Sequence, residues 1–152
     1  MILSETLQKI SSGVFHIVFL DTQGLIVGRG TAFASCGFLI TNCHVFDGHP
    51  NTTHVWIRRH GEILRQQGIL LTWQDFRNRL KSASDKNNFD FAVLDIPERL
   101  KIGSVHQFEL RKPHGFRMGD KIAFLGYPME HLNLTSHTSV IPSFFKQLQT
   151  SD

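Results

Sequence analysis

Thr41-Asn42-Cys43-His44-Val45 is the stretch of this sequence that says most about its fold. It follows the apolar run Phe38-Leu39-Ile40, which predicts a strand, so His44 stands where that strand ends. The small residues of 30–34 predict the preceding strand of the same hairpin, which turns around Cys36-Gly37. A histidine at a strand end can enter a cleft between strands, as a general base must.

Asp90 stands at the start of a second informative stretch. The residues that follow it, Phe91-Ala92-Val93-Leu94, are apolar and predict a strand over residues 89–96. Asp85 and Asp95 are the nearest alternative carboxylates. Asp85 lies in a polar loop, and Asp95 could face solvent because side chains alternate between the two faces of a strand.

A third block consists of Gly119-Asp120, an apolar strand at 121–125 and then Gly126-Tyr127-Pro128. In this order the blocks resemble the first half of a trypsin-like, chymotrypsin-fold serine peptidase. The nearest likeness is to the HtrA/Deg and bacterial trypsin-like group, in which Gly-x-Gly-Phe, an apolar strand and Thr-Asn-x-His-Val recur. The resemblance covers about residues 12–128, which correspond to half of the family's domain.

The resemblance implies peptide-bond hydrolysis by acyl transfer, with His44 as the general base and Asp90 as the acid that orients its imidazole. Asp90 is preferred to the other carboxylates because an apolar run follows it, as in the family's pattern. The parent enzyme would act on a peptide or protein substrate. It would need no metal and no organic cofactor.

The family's nucleophile has no counterpart in these 152 residues. A reactive serine needs a tight turn and backbone N–H groups that form an oxyanion hole, and Gly-x-Ser-Gly supplies both in the family. No glycine follows Gly126, so no such turn surrounds the tail serines Ser136, Ser139, Ser143 and Ser151. We therefore expect a chain that is inactive alone. The open hypotheses are a fragment or truncated gene product, a half-enzyme completed by another chain, and a non-catalytic module that binds peptides or proteins.

Short predicted strands separated by glycine-rich turns favour an all-β fold. By resemblance this is the first Greek-key barrel of a chymotrypsin-like double barrel, with an incomplete second barrel. The expected segments are an N-terminal extension at 1–11 that can form a short helix, the first barrel at 12–128 and the start of the truncated second barrel at 129–152.

Within these segments the predicted strands lie at 14–20, 25–27, 31–34, 38–41, 54–58, inside 63–72, 89–96 and 121–125. Glycines at 28–30 allow a bend or bulge after the second of them. The polar residues 74–84 predict a short helix or a long loop. Strand-like runs in the tail have no evident partner in the sequence.

The composition is that of a globular protein, with 41% hydrophobic and 19% charged residues. A net charge of +3 does not require a nucleic-acid partner. Neither a signal peptide nor a run of about 20 apolar residues is evident, so no membrane association is expected.

Cys36 and Cys43 are separated by a predicted strand, which would hold their Cα atoms beyond the roughly 7 Å limit for a disulfide. Free thiols in a reducing cytoplasm are therefore expected. Neighbours on a strand face opposite sides, so Cys43 is predicted to lie buried behind His44. A zinc site is a further alternative, with Cys36, Cys43, His44, His49 and His54 as candidate ligands. It is not favoured, because these residues lack the short paired spacing of zinc ligands.

Basic and aromatic residues are interleaved in the middle of the chain: Arg58, Arg59, Arg65, Arg77, Arg79 and Lys81 with Trp56, Trp73 and Phe76. A nucleic-acid surface can have this composition, but the solvated side of strands whose aromatic residues face the core is favoured. The tail adds the apolar pairs Val140-Ile141 and Phe144-Phe145, which a second barrel would normally bury. Self-association or a completing chain is therefore expected.

Overall fold

A computed structural model describes residues 2–59, 68–85, 89–101, 105–109, 120–126 and 135–140. Its helices are α1 (Ile2–Ile10), α2 (Cys43–Asp47) and α3 (Trp73–Arg77), with 3-10 turns at Ser11–Gly13 and Glu98–Lys101. Its strands are β1 (Val14–Leu20), β2 (Ile26–Ser35), β3 (Phe38–Thr41), β4 (His54–Arg59), β5 (Ile69–Thr72), β6 (Leu80–Ala83), β7 (Ala92–Asp95), β8 (Lys121–Gly126) and β9 (Thr135–Val140). The short helix expected near the N-terminus is confirmed.

Seven strands form one antiparallel sheet in the order β5-β4-β1-β2-β3-β7-β6. The two outermost strands, β5 and β6, are consecutive in the chain and are joined through α3. Phe76 of α3 is fully buried in the same core as Phe15 and Ile17 of β1. The sheet is therefore curled, and the expected all-β, chymotrypsin-like half-barrel is confirmed.

β1 is the centre of the core because both of its faces are covered. All seven of its residues are buried, and Phe15, Ile17 and Phe19 belong to the main hydrophobic cluster. His16 points to the other face, where Nε of Arg58 donates a hydrogen bond to its Nδ1 at 3.3 Å. The pKa of His16 is lowered from 6.5 to about 3. Burial is the largest cause, and the positive charges of Arg58 and Arg29 act in the same direction.

Both predicted hairpin turns are present. Asp21 begins the first turn, where its Oδ1 accepts hydrogen bonds of 2.9 Å from the N–H groups of Gln23 and Leu25. In the second, Cys36 and Gly37 both have positive φ angles, 52° and 83°. Such a two-residue turn matches the twist of the strands on either side.

β2 runs unbroken through the three residues 28–30, where a bend was expected. Its one irregularity in the pairing with β1 lies just before them, because Phe19 pairs with Gly28 and Leu20 pairs with Ile26. Val27 is therefore the extra residue of a bulge. The expected break was misplaced by one residue.

The polar stretch at 74–84, predicted as a short helix or a long loop, contains most of the short helix α3. It also contains the strand β6, which was not predicted. All four residues of β6 are exposed, so its sequence lacks the alternation that identifies a half-buried strand. The predicted strand at 89–96 is shorter than expected. It begins at Ala92, and Asp90 lies before it with a φ of 47°.

β8 and β9 form a separate two-stranded sheet, with Lys121 opposite Val140 and Gly126 opposite Thr135. The expectation that the strand-like tail has no partner was therefore wrong for β9. Ser136 and Ser139 lie in this strand. Other predictions for the tail lie outside the described residues, including those for Ser143, Ser151 and the pair Phe144-Phe145.

Candidate active site

His44 lies on α2, directly after β3 and the N-cap residue Asn42. The strand predicted at 38–41 is confirmed as β3, and the chain turns into a helix as soon as that strand ends. The side chain of His44 is 66% exposed, and that of Asp90 is 29% exposed. Both groups are thus accessible from solvent, as groups that act on a bound molecule must be.

The structure brings His44 and Asp90 together as expected. Nδ1 of His44 lies 2.5 Å from Oδ2 of Asp90, and the backbone N–H of His44 donates to Oδ1 at 2.9 Å. One carboxylate therefore binds both the ring and the backbone of the same residue. An acceptor at Nδ1 favours the tautomer with its proton there, which leaves the lone pair of Nε2 available as a base.

The backbone of Asp90 also contributes to this geometry. Its carbonyl oxygen accepts hydrogen bonds from the N–H of Cys43 at 3.2 Å and from Nδ2 of Asn42 at 3.1 Å. A φ of 47° is unusual for a residue other than glycine, but aspartate tolerates it better than most. Asp90 thus binds the first turn of α2 through both its carboxylate and its carbonyl group. Sequence analysis did not identify Asn42 as a partner of Asp90.

The hydrogen bond from the His44 side chain is the main reason that the pKa of Asp90 lies below its usual value. Backbone hydrogen bonds from His44 and Cys43 act in the same direction. Each of these donors stabilises the ionised carboxylate more than the neutral acid. Asp90 is therefore a carboxylate at neutral pH, able to hold the imidazole and to stabilise an imidazolium.

The alternative carboxylates are not part of this arrangement. Oδ2 of Asp95 lies 3.2 Å from Nζ of Lys81, in a surface ion pair across the edge of the sheet. Asp85 is exposed and lies in the loop that follows β6. Asp90 is the carboxylate that contacts His44.

Both cysteines are free thiols, as expected. Cys43 is half-buried, and its Sγ lies 3.6 Å from the carbonyl oxygen of Ser84. The argument that placed it on the face opposite His44 fails, because the two residues are neighbours on a helix rather than on a strand. Cys36 is exposed at the tip of the second hairpin.

The basic residues are less solvated than expected. Arg58 is 4% exposed and packs beside His16. Arg59, Arg77 and Arg79 are half-buried, whereas Lys81 is exposed and Arg65 lies outside the described residues. Along the described ranges, no group of three His, Cys, Asp or Glu side chains has the spacing of a metal site.

Comparison with known proteins supports the fold. No protein-family model and no curated protein sequence matches this chain. It is similar to the crystal structure of the serine endoprotease from Yersinia pestis, with a TM-score of 0.62 and 16% sequence identity. The match covers 95% of this chain but 45% of that chain, so this chain spans less than half of the endoprotease. At this identity the likeness shows a shared fold.

In the parts of the chain that the structure describes, no helix is long and apolar enough to cross a membrane.

Proposed function

We propose that His44 and Asp90 are the general base and the orienting acid of a trypsin-like serine endopeptidase. The observation that carries this proposal is the distance of 2.5 Å between Nδ1 of His44 and Oδ2 of Asp90. It is supported by the likeness of the fold to a serine endoprotease. The substrate is a peptide or protein, and the two free thiols favour a reducing compartment such as the cytoplasm.

In the proposed reaction, Nε2 of His44 removes the proton of a serine hydroxyl as that oxygen attacks the scissile carbonyl carbon. The imidazolium is stabilised by the ionised carboxylate of Asp90. His44 then gives the proton to the nitrogen of the leaving amine, which completes formation of the acyl-enzyme. Water attacks the acyl group in a second cycle of the same proton transfers. These steps use side chains alone and require no metal or organic cofactor.

The nucleophilic serine and its oxyanion hole are proposed to come from outside these 152 residues, because the sequence contains no Gly-x-Ser-Gly. Residues 12–128 then form the first barrel, residues 129–152 begin the second, and residues 1–11 are an extension. The serine could belong to the same polypeptide or to a completing chain. Both arrangements give His44 the same role.

The test begins with the 152-residue chain, which we expect to show no turnover of a peptide library and no labelling by a fluorophosphonate serine probe. The coding sequence after codon 152 is then searched in all frames for Gly-x-Ser-Gly, and the chain that carries it is expressed. His44→Gln should lower kcat by about 10⁶ and Asp90→Asn by about 10⁴. Full activity in His44→Gln, or labelling of a tail serine in the short chain, would contradict the proposal.

A peptide-binding module without catalysis is the second candidate. It is favoured by the exposure of two aromatic residues beside the pair, Phe89 at 79% and Phe91 at 38%. A module of this kind would bind peptides equally well with His44→Gln, and binding would fall with Phe89→Ser. Peptide-array binding by the 152-residue chain distinguishes it from the enzyme.

A further inference from the structure

The helix that carries His44 is too short to hold its own position. α2 has five residues, and the side chain of its N-cap residue, Asn42, makes no capping hydrogen bond. Isolated helices shorter than about 12–15 residues are marginal in water. The direction of the imidazole therefore depends on what binds the two ends of α2. Asp90 binds the N-terminal end, through the hydrogen bonds described above.

Arg77 binds the C-terminal end. Its Nη1 donates a hydrogen bond of 3.1 Å to the carbonyl oxygen of Phe46 and lies 3.7 Å from Oδ1 of Asp47. The last carbonyl groups of a helix have no partner within it, and a cation near them also interacts favourably with the helix dipole. Arg77 thus supplies a partner from α3 to the end of α2.

The same guanidinium group is held in place by aromatic rings. Its Cζ lies 4.1 Å from the ring centroid of Phe46 and 5.3 Å from that of Trp73. Phe46 packs on Phe76 of α3, with the ring centroids 5.3 Å apart. Gly48 follows α2 with a φ of 65°, and a Cβ there would lie 2.7 Å from the Trp73 ring. α3 therefore contacts the C-terminal half of α2 in one closely packed cluster.

We infer that Arg77 is a positioning residue for the pair of His44 and Asp90. It acts through Phe46 and α2. Phe46 lies two residues after His44, so a shift of its carbonyl group turns the helix about Asp90 and moves Nδ1 away from Oδ2. The consequence for catalysis rests on the proposed function, whereas the effect on this hydrogen bond is independent of any activity. Lysine cannot reproduce the contact, because it lacks the planar group that stacks on rings.

The test uses the 152-residue chain labelled with ¹⁵N and compares Arg77→Met and Arg77→Lys with the wild type. Methionine keeps an apolar stem without the guanidinium, and lysine keeps the charge without the planar group. The readout is the downfield proton resonance of the His44 Nδ1–H group and the rate at which this proton exchanges with water. We expect this proton to exchange about tenfold faster in Arg77→Met than in the wild type, with a smaller increase in Arg77→Lys. The reason is that Arg77→Met removes both the cation at the end of α2 and the cation over the Phe46 ring.

Lys81→Met is the matched control, because it removes the surface ion pair with Asp95 from the strand that follows α3. It should leave the exchange rate at the wild-type value. Urea unfolding is measured for every variant. If Arg77→Met lowers stability but leaves the exchange rate unchanged, the inference is overturned and the proposed function stands. If Arg77→Met does not fold, Arg77→Lys decides by the same readouts. A resonance that is absent from the wild type, or that survives in His44→Gln, contradicts the proposed function as well.

Discussion

Asp90 and His16 both have a lowered pKa, but for different physical reasons. Asp90 is ionised because donors from α2 bind its carboxylate. His16 is neutral because it is buried beside positive charge, with Arg58 and Arg29 as the nearby cations. The first effect keeps the carboxylate that contacts His44 charged, whereas the second makes the core of the sheet sensitive to acid.

Because of His16, the free energy of unfolding should decrease as the pH is lowered from about 6.5 to about 3. In this window an unfolded chain binds a proton at His16 and the folded chain does not, since its pKa falls from 6.5 to about 3 on folding. The free energy of unfolding should therefore drop by up to about 1.4 kcal/mol for each pH unit below 6.5. Urea unfolding at pH 7.0, 6.0 and 5.0 measures this slope.

His16→Gln is the control for this prediction, because glutamine does not titrate. Its free energy of unfolding should be flatter than that of the wild type over the same interval. Asp90 does not interfere, since its lowered pKa means that its stabilising contribution is present above 3.8 and is lost below that value. Parallel pH profiles for the two proteins, or a His16 ring that NMR shows protonated at pH 5 in the folded chain, would show the prediction to be wrong.

The helix α2 and the strand β2 approach each other closely. The contact occurs at Gly30, where a Cβ would lie 2.3 Å from Cγ1 of Val45. No real Cβ contact is that short, so α2 can reach Asp90 only because residue 30 has no side chain. Gly28 stands two residues earlier on the same strand, and a Cβ there would lie 3.3 Å from Phe19.

Gly30→Ala should displace α2 and disrupt the pair of His44 and Asp90. We expect a loss of about 1–3 kcal/mol in the free energy of unfolding, as is usual for overpacking, together with weakening of the downfield resonance of His44. Gly28→Ala is the matched control, with a smaller loss of stability and an unchanged resonance. Gly30→Ala/Val45→Ala should recover part of both losses. An unchanged resonance in Gly30→Ala would refute the steric argument.

Several large apolar side chains lie in solvent. Among the residues that the structure describes, those exposed by more than a third are Leu25, Ile26, Phe38, Leu70, Leu80, Phe89 and Phe91. Phe89 and Phe91 stand on either side of Asp90 in the sequence, at the face where the proposed nucleophile must approach. Exposed apolar patches of this kind are typical of interaction sites.

We expect the 152-residue chain to self-associate through this face. Its average mass in light scattering should rise with concentration, and Phe89→Ser/Phe91→Ser should lower that rise. Leu25→Ser, at the first hairpin turn, is the control and should have little effect. A monomer at every concentration that binds no hydrophobic dye would mean that the face is sealed by other parts of the chain.

Much of the fold could be predicted from short windows of sequence. The apolar run of β1, the turn after Asp21 and the hairpin at Cys36-Gly37 were predicted because local periodicity and turn chemistry act within a few residues. Predictions failed where burial did not follow that periodicity. β6 is exposed at all its positions, and Arg58 is buried although its sequence neighbours gave no sign of it.

That His44 and Asp90 belong together was predicted from the sequence through its resemblance to the first half of a trypsin-like serine peptidase, in which both residues have counterparts. How the two side chains meet depends on the tertiary fold. Residues 46 positions apart form the hydrogen bond, and distant residues bind both ends of α2, Asp90 at the first turn and Arg77 at the last. A five-residue helix has too few internal hydrogen bonds to be specified locally. The presence of α2 therefore depends on contacts between distant segments. The same holds for the inferred role of Arg77, which the sequence analysis had assigned to a solvated face.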